Sequence, residues 1–182
     1  MTRESFYTKK GDDGSTGLLY GGRVRKDSDA PEAYGAVDEA QAAIGAARAE
    51  AERGSELDRI LLDVERDLYV LMAELATLAE NRSKLTPGST LVTQEMVDEI
   101  GRRTDQLSER FEMPDGFVLP GQNRVSASLE VARTVVRRAE RRAVSVAAAD
   151  SFVIPYLNRL SSLLWAAARW QEGDFVSAKR ND

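Results

Sequence analysis

The chain has 182 residues, a length that suits one domain, with 42% hydrophobic and 30% charged side chains. It contains no histidine and no cysteine, and 25 basic against 30 acidic residues leave a formal net charge of −5. Those counts exclude disulfides, thiolate-held zinc or iron–sulfur clusters, histidine-held haem, cysteine nucleophiles and histidine triads, and they argue against a general nucleic-acid binder.

The N-terminal residues MTRESFYTKKGDDG lack the apolar run of a signal peptide. The most apolar stretch, around Leu160–Trp170, is broken by Ser161, Ser162 and Arg169 and is too short for a membrane span. The expected location is therefore the cytoplasm, with neither membrane nor nucleic acid as a partner.

Residues 8–17 read Thr8-Lys9-Lys10-Gly11-Asp12-Asp13-Gly14-Ser15-Thr16-Gly17, and five of the thirteen glycines fall here or within the next five residues. Closely spaced glycines let successive backbone N–H groups converge on one anion, Lys9 and Lys10 add positive charge, and Asp12 and Asp13 are candidates for Mg²⁺. The same composition also suits a solvated arm.

Helical periodicity follows. Pro31–Arg53 is alanine-rich. In Ser55–Glu80, Leu57, Leu61, Val64, Leu68, Leu71, Leu75 and Leu78 recur at alternating gaps of 4 and 3, the seam of a bundle helix, with Ser55 as N-cap. A third helix is expected over Thr93–Phe111, capped by Thr93. A fourth is expected over Gln122–Ala149, and a fifth over Phe152–Trp170 with Pro155 in its first turn. No segment reads as a convincing strand, and residues 171–182 read as a polar tail. The fold class is all-α, a single five-helix domain: a loop over residues 1–28, a bundle over 29–170, and the tail.

Two further features exceed what a plain bundle requires. Arg133, Arg137 and Arg141 recur at i, i+4 and i+8, and with Arg138, Arg142 and Glu140 they give that stretch a net charge of +4. Guanidinium forks match phosphate oxygens and carboxylates, although acidic side chains of a neighbouring helix would serve equally well. Phe117-Val118-Leu119-Pro120-Gly121 places an apolar run in a turn-rich loop, either as a plug for the bundle or as a wall for a planar ligand.

Together, YTKKGDDGSTGLL (residues 7–19), RVRKDSDAPEAYGAVDEAQAAIG (23–45), FVLPG (117–121), ARTVVRRAERR (132–142) and YLNRLSSLL (156–164) resemble the PduO-type ATP:cob(I)alamin adenosyltransferase family. The resemblance implies a homotrimer with active sites between subunits. Its activity would be transfer of the 5′-deoxyadenosyl group from MgATP to cob(I)alamin, with a reductase and an acceptor mutase as further partners. It implies that Thr8, Lys9, Lys10, Gly11, Ser15, Thr16, Gly17 and Lys26 bind ATP from the loop. Arg137, Arg138, Glu140, Arg141 and Asn158 would bind it from the bundle. Phe117 would displace the lower axial ligand of the corrin, and Asp38 would pair with Arg133 across subunits.

Three places depart from the family's usual pattern: Gln122-Asn123-Arg124 after the FVLPG motif, Ser162, and Ala40-Gln41. They leave open a non-catalytic trimeric binding protein that kept the nucleotide site. The acidic balance makes an RNA-binding bundle the weaker alternative. The absence of histidine and cysteine is compatible with the transfer, because cob(I)alamin is itself the nucleophile. The protein's task would be positioning and stabilising charge on the leaving triphosphate.

Overall fold

A computed structural model describes residues 9–179. In chain order they form β1 (Ser15–Gly17), β2 (Arg23–Arg25), α1 (Asp29–Glu50), α2 (Glu56–Leu75) and a 3-10 helix (Ala79–Lys84). There follow α3 (Gln94–Ser108), β3 (Val118–Leu119), α4 (Arg124–Ala143), α5 (Val153–Glu172) and β4 (Val176–Ser177). All five expected α-helices are present. Ser55 and Thr93 cap α2 and α3 through side-chain oxygens that accept from the amides of Asp58 and Met96.

The seam residues Leu57, Leu61, Val64, Leu68, Leu71 and Leu75 are all buried, as are Leu129, Ala132, Val136 and Ala139 of α4. Alanines at Ala33, Ala36, Ala40 and Ala47 let α1 lie close against α4 and α2. Ion pairs fix the directions. Glu32 meets Arg142 and Glu39 meets Arg138, so α1 and α4 run antiparallel. Arg48 bonds Asp58 and Glu65 across α1 and α2, and Arg103 and Arg110 of the α3 region bond Asp63 and Glu56 of α2. At one end of α4, Asn123 donates to the carbonyl of Gln171 at the close of α5.

The bundle therefore has two distinct ends. One gathers the starts of α1, α3 and α5 with the finishes of α2 and α4. The other gathers the starts of α2 and α4 with the finishes of α1, α3 and α5.

The structure corrects two helix ends. α2 stops at Leu75, not Glu80, because the loop caps it: the Leu19 amide donates to the Ala76 carbonyl at 2.9 Å. Leu78, expected to continue the seam, instead packs on Gly22 so closely that a β-carbon there would lie 2.6 Å from Leu78 Cδ1. Gly22 also has φ +92°, so a side chain is disfavoured on both counts.

α4 ends at Ala143, not Ala149. The amides of Val146 and Ala147 both turn back to the Ala143 carbonyl, and Ser151 is held by a 2.6 Å bond to the buried carboxylate of Glu74 on α2. The expectation of no strands also fails. β1 pairs antiparallel with β2, and β3 pairs antiparallel with β4, so residues 176–177 of the expected polar tail are a strand.

Candidate functional site

The glycine loop folds as a turn closed by its own backbone. The amide of Gly14 donates to the carbonyl of Gly11, and the amide of Lys26 donates to the carbonyl of Gly14 at 2.8 Å. This last bond brings Lys26, just past β2, over the loop. Its ammonium lies so near Gly11 that a β-carbon there would be 3.0 Å from Nζ. Lys9 and Lys10 are exposed beside it, Gly11, Ser15 and Thr16 are half-buried, and Gly17 is exposed at the end of β1. Thr8 lies outside the described residues.

Asp13 organises Ser15: its Oδ1 accepts both the Ser15 amide at 2.9 Å and the Ser15 hydroxyl at 2.7 Å. Those hydrogen bonds, side chain first and backbone second, hold its carboxyl below the usual range. Asp13 is thus committed to shaping the loop; Asp12 beside it is exposed as well. Among the described residues no group of three or more acidic side chains forms a metal cage. A Mg²⁺ arriving here would draw most of its oxygens from a polyphosphate and from water, the usual way of binding this ion.

The arginines of α4 divide by partner. Arg138 and Arg142 face α1 and meet Glu39 and Glu32. Arg137 and Arg141, one turn apart, are exposed and have no ion-pair or hydrogen-bond partner among the described residues. Two adjacent unpaired guanidinium groups repel, and an anion laid across them would remove that cost. Next to them Asn158 of α5 donates to Glu140 at 2.9 Å, which joins both expected residues at the α4–α5 seam.

Arg133 lies nearer the other end of α4, where its Nε donates to Glu130 at 2.6 Å. Within the chain Arg133 does not pair with Asp38, which is exposed on α1 at the level of Arg138. Glu130 also lies 3.2 Å from Arg169, which in turn lies 2.8 Å from Glu172.

Phe117 is 87% exposed, an extreme value for an aromatic side chain. Its loop is braced by β4 and by the Ala178 amide, which donates to the Phe117 carbonyl at 2.8 Å. A cavity of about 370 Å³ lies beside it, lined in part by Met113, Phe175 and Lys179.

Residues at two of the three departures have structural work. Asn123 caps α4 in a capping box with Ser126, Ala40 is in the core, and Gln41 donates to the Glu65 carbonyl at 3.0 Å. Ser162 is exposed. Two acids of α2 escaped the sequence reading, Glu74, which is buried, and Asp67, which is half-buried. Glu74 gathers Arg82, the Val92 amide and Ser151, and Asp67 accepts from the Tyr156 hydroxyl at 2.7 Å. Their signal was a carboxylate within a leucine seam.

The model of the family described as cobalamin adenosyltransferase matches residues 6–171. This chain belongs to that family. A corrinoid adenosyltransferase of Mycobacterium tuberculosis is 41% identical over 137 residues, 75% of this chain and 70% of that protein. One from Bacillus subtilis is 39% identical over 144 residues, 77% of this chain and 70% of that protein. Among solved structures, a variant PduO-type ATP:corrinoid adenosyltransferase from Lactobacillus reuteri, complexed with cobalamin and ATP, superposes with a TM-score of 0.83 at 27% identity. That match covers 92% of this chain and 91% of the other. The five-helix bundle is thus the fold of the cobalamin adenosyltransferases. Among the described residues no helix is long and apolar enough to cross a membrane.

Proposed function

We propose that this chain transfers the 5′-deoxyadenosyl group of MgATP to cob(I)alamin, forming adenosylcobalamin and releasing triphosphate, at sites shared between subunits of a homotrimer. The observation that carries the shared site is the distance between its parts. The glycine loop sits where α1 begins and α4 ends, whereas the Phe117 loop sits where α4 begins. Twenty helical residues separate these ends by about 30 Å. One chain therefore keeps its phosphate loop and its aromatic wall too far apart to serve a single transfer. A neighbouring copy that brings its Phe117 end to this loop completes the site, and the unpaired Asp38 is available to that copy's Arg133.

In the reaction the electron pair on Co(I) forms the Co–C5′ bond as the C5′–O bond breaks and the pair on oxygen leaves with the triphosphate. No protein nucleophile and no proton transfer is required. Lys26, Arg137 and Arg141 lie on the loop side and supply charge where the triphosphate becomes more negative, and the backbone amides of the loop orient it for in-line attack. A Mg²⁺ carried in with the triphosphate would neutralise phosphate charge, with Asp12 a carboxylate able to approach it. Phe117, exposed and desolvating, occupies the lower face of the corrin, and loss of the axial ligand eases reduction of Co(II) to Co(I). A reductase supplies that electron and a mutase receives the product.

The test is spectroscopic. Cob(II)alamin added to the MgATP-loaded protein should give a four-coordinate, base-off spectrum, and reductant should convert it to adenosylcobalamin. A base-on spectrum with no product would overturn the reading in favour of a non-catalytic binding protein. Mass measurement in solution checks the trimer.

A further inference from the structure

Arg23 is the first residue of β2 and stands opposite Gly17 in the ribbon. Its guanidinium crosses the glycine loop. Nη2 donates to the Lys10 carbonyl at 2.7 Å, and Nε and Nη2 reach Ser15 Oγ at 3.1 and 2.5 Å. Asp13 lies 3.8 Å away and accepts the hydrogen bond of the Ser15 hydroxyl, so Ser15 Oγ donates to Asp13 and accepts from Arg23. Lys10 and Ser15 are the two limbs of the loop, and Arg23 ties them together.

We infer that Arg23 is a positioning residue for the phosphate loop, one that sets its width and the orientation of its amides before the nucleotide arrives. This rests on the nucleotide reading of the loop and adds to it a residue outside the glycine–lysine motif. The physical reason is the shape of the side chain. A planar fork can span two acceptors at once, whereas an ammonium satisfies them only as a point charge. With the loop held, binding does not pay to order it, and that saving appears as nucleotide affinity. The residue is not a prop of the fold. Arg23 is 47% exposed and Asp13 67%, so their ion pair adds little to global stability, and no helix of the bundle depends on it.

The experiment compares wild type, Arg23→Lys and Arg23→Ala by calorimetric titration of MgATP, by thermal midpoint without nucleotide, and by steady-state turnover. Arg23→Ala should bind MgATP about tenfold or more weakly, with the midpoint unmoved and the loss expressed in KM for ATP more than in kcat. Arg23→Lys should lose nearly as much, because it keeps the charge and loses the bridge. Full affinity in Arg23→Ala would overturn the inference. So would full affinity in Arg23→Lys alongside a weak Arg23→Ala, since charge alone would then account for the effect. Failure of wild type to bind MgATP would instead overturn the nucleotide reading, and this inference with it.

Discussion

The amide of Ala178 donates to the carbonyl of Phe117, so the most exposed aromatic residue among the described residues is held in place by the chain beyond α5. The connection runs through Gly173, which ends α5 in a left-handed turn at φ +72° and lets residues 176–177 return as β4 against β3. A chain ending at Gly173 should keep its bundle, because a two-residue ladder buries little. It should nonetheless form adenosylcobalamin from cob(II)alamin about tenfold more slowly or worse, since Phe117 is no longer braced. Thermal melting and product formation measured on the same sample check both halves. Undiminished turnover would show that the Phe117 loop needs no support.

Phe117→Ala separates the wall from the nucleotide site. The side chain is 87% exposed, so its loss should change stability by no more than about 0.5 kcal/mol. ATP affinity should be unchanged, because the proposed site holds the nucleotide by the glycine loop, Lys26, Arg137 and Arg141, and gives Phe117 only the corrin face. Turnover from cob(II)alamin should fall sharply, and the four-coordinate spectrum should disappear. An equal loss of ATP affinity would contradict the assignment.

Arg137→Ala should do the reverse. Arg137 has no partner among the described residues, so removing it breaks no contact in the free chain. If it meets a phosphate, one charge-assisted bond is lost, and MgATP binding should weaken by about 1.5–3 kcal/mol in a calorimetric titration. Arg138→Ala is the informative companion: Arg138 is already engaged by Glu39 on α1, so its removal also exposes that interhelical contact to loss.

The helices were legible because their signal is local. The leucine seam of α2, the caps at Ser55 and Thr93 and the proline in the first turn of α5 are each written within a few residues. The overruns at α2 and α4 had non-local causes, the Leu19 amide capping α2 and the Glu74 carboxylate holding Ser151. Neither partner lies within fifty residues of the bond it makes. β3 and β4 stayed hidden for the same reason, since two-residue strands have no periodicity and these pair across the whole of α4 and α5. The site was legible as motifs, but not the division of the α4 arginines. Which of Arg137, Arg138, Arg141 and Arg142 face Glu32 and Glu39 depends on how α1 lies against α4.

Glu99 provides a test of charge in the α2–α3 groove. A hydrogen bond from Arg102, opposed by partial burial and reinforced by Arg103, lowers its pKa to about 2. A carboxyl whose folded pKa is depressed stabilises the fold above its unfolded value of about 4.3, and that contribution drains away as pH falls toward 2. Because Glu99 is 39% exposed and Arg102 54%, the total should be only about 1 kcal/mol at neutral pH. Urea unfolding of wild type and Glu99→Gln should show that gap at pH 7 and a shrinking one from pH 4 to pH 3. A gap independent of pH would assign the effect to packing.

Tyr156→Phe tests the opposite sign. The Tyr156 side chain is fully buried and its hydroxyl donates to Asp67 at 2.7 Å. Burial raises the Asp67 pKa, with the Tyr156 bond and Arg103 pulling the other way. A carboxyl with a raised folded pKa holds its proton more tightly in the fold than in the unfolded chain. It therefore favours folding at acid pH, and that advantage is lost as pH rises through the folded value. Removing the hydroxyl takes away a donor that the charged form needs, so Asp67 should titrate still higher. The variant should lose about 1–3 kcal/mol at pH 7, where Asp67 must ionise without its partner. The loss should be smaller near pH 4, where the carboxyl can stay protonated. Urea unfolding at both pH values measures the difference. A loss equal at both would mean that the hydroxyl contributes through packing around α5 and not through the charge on Asp67.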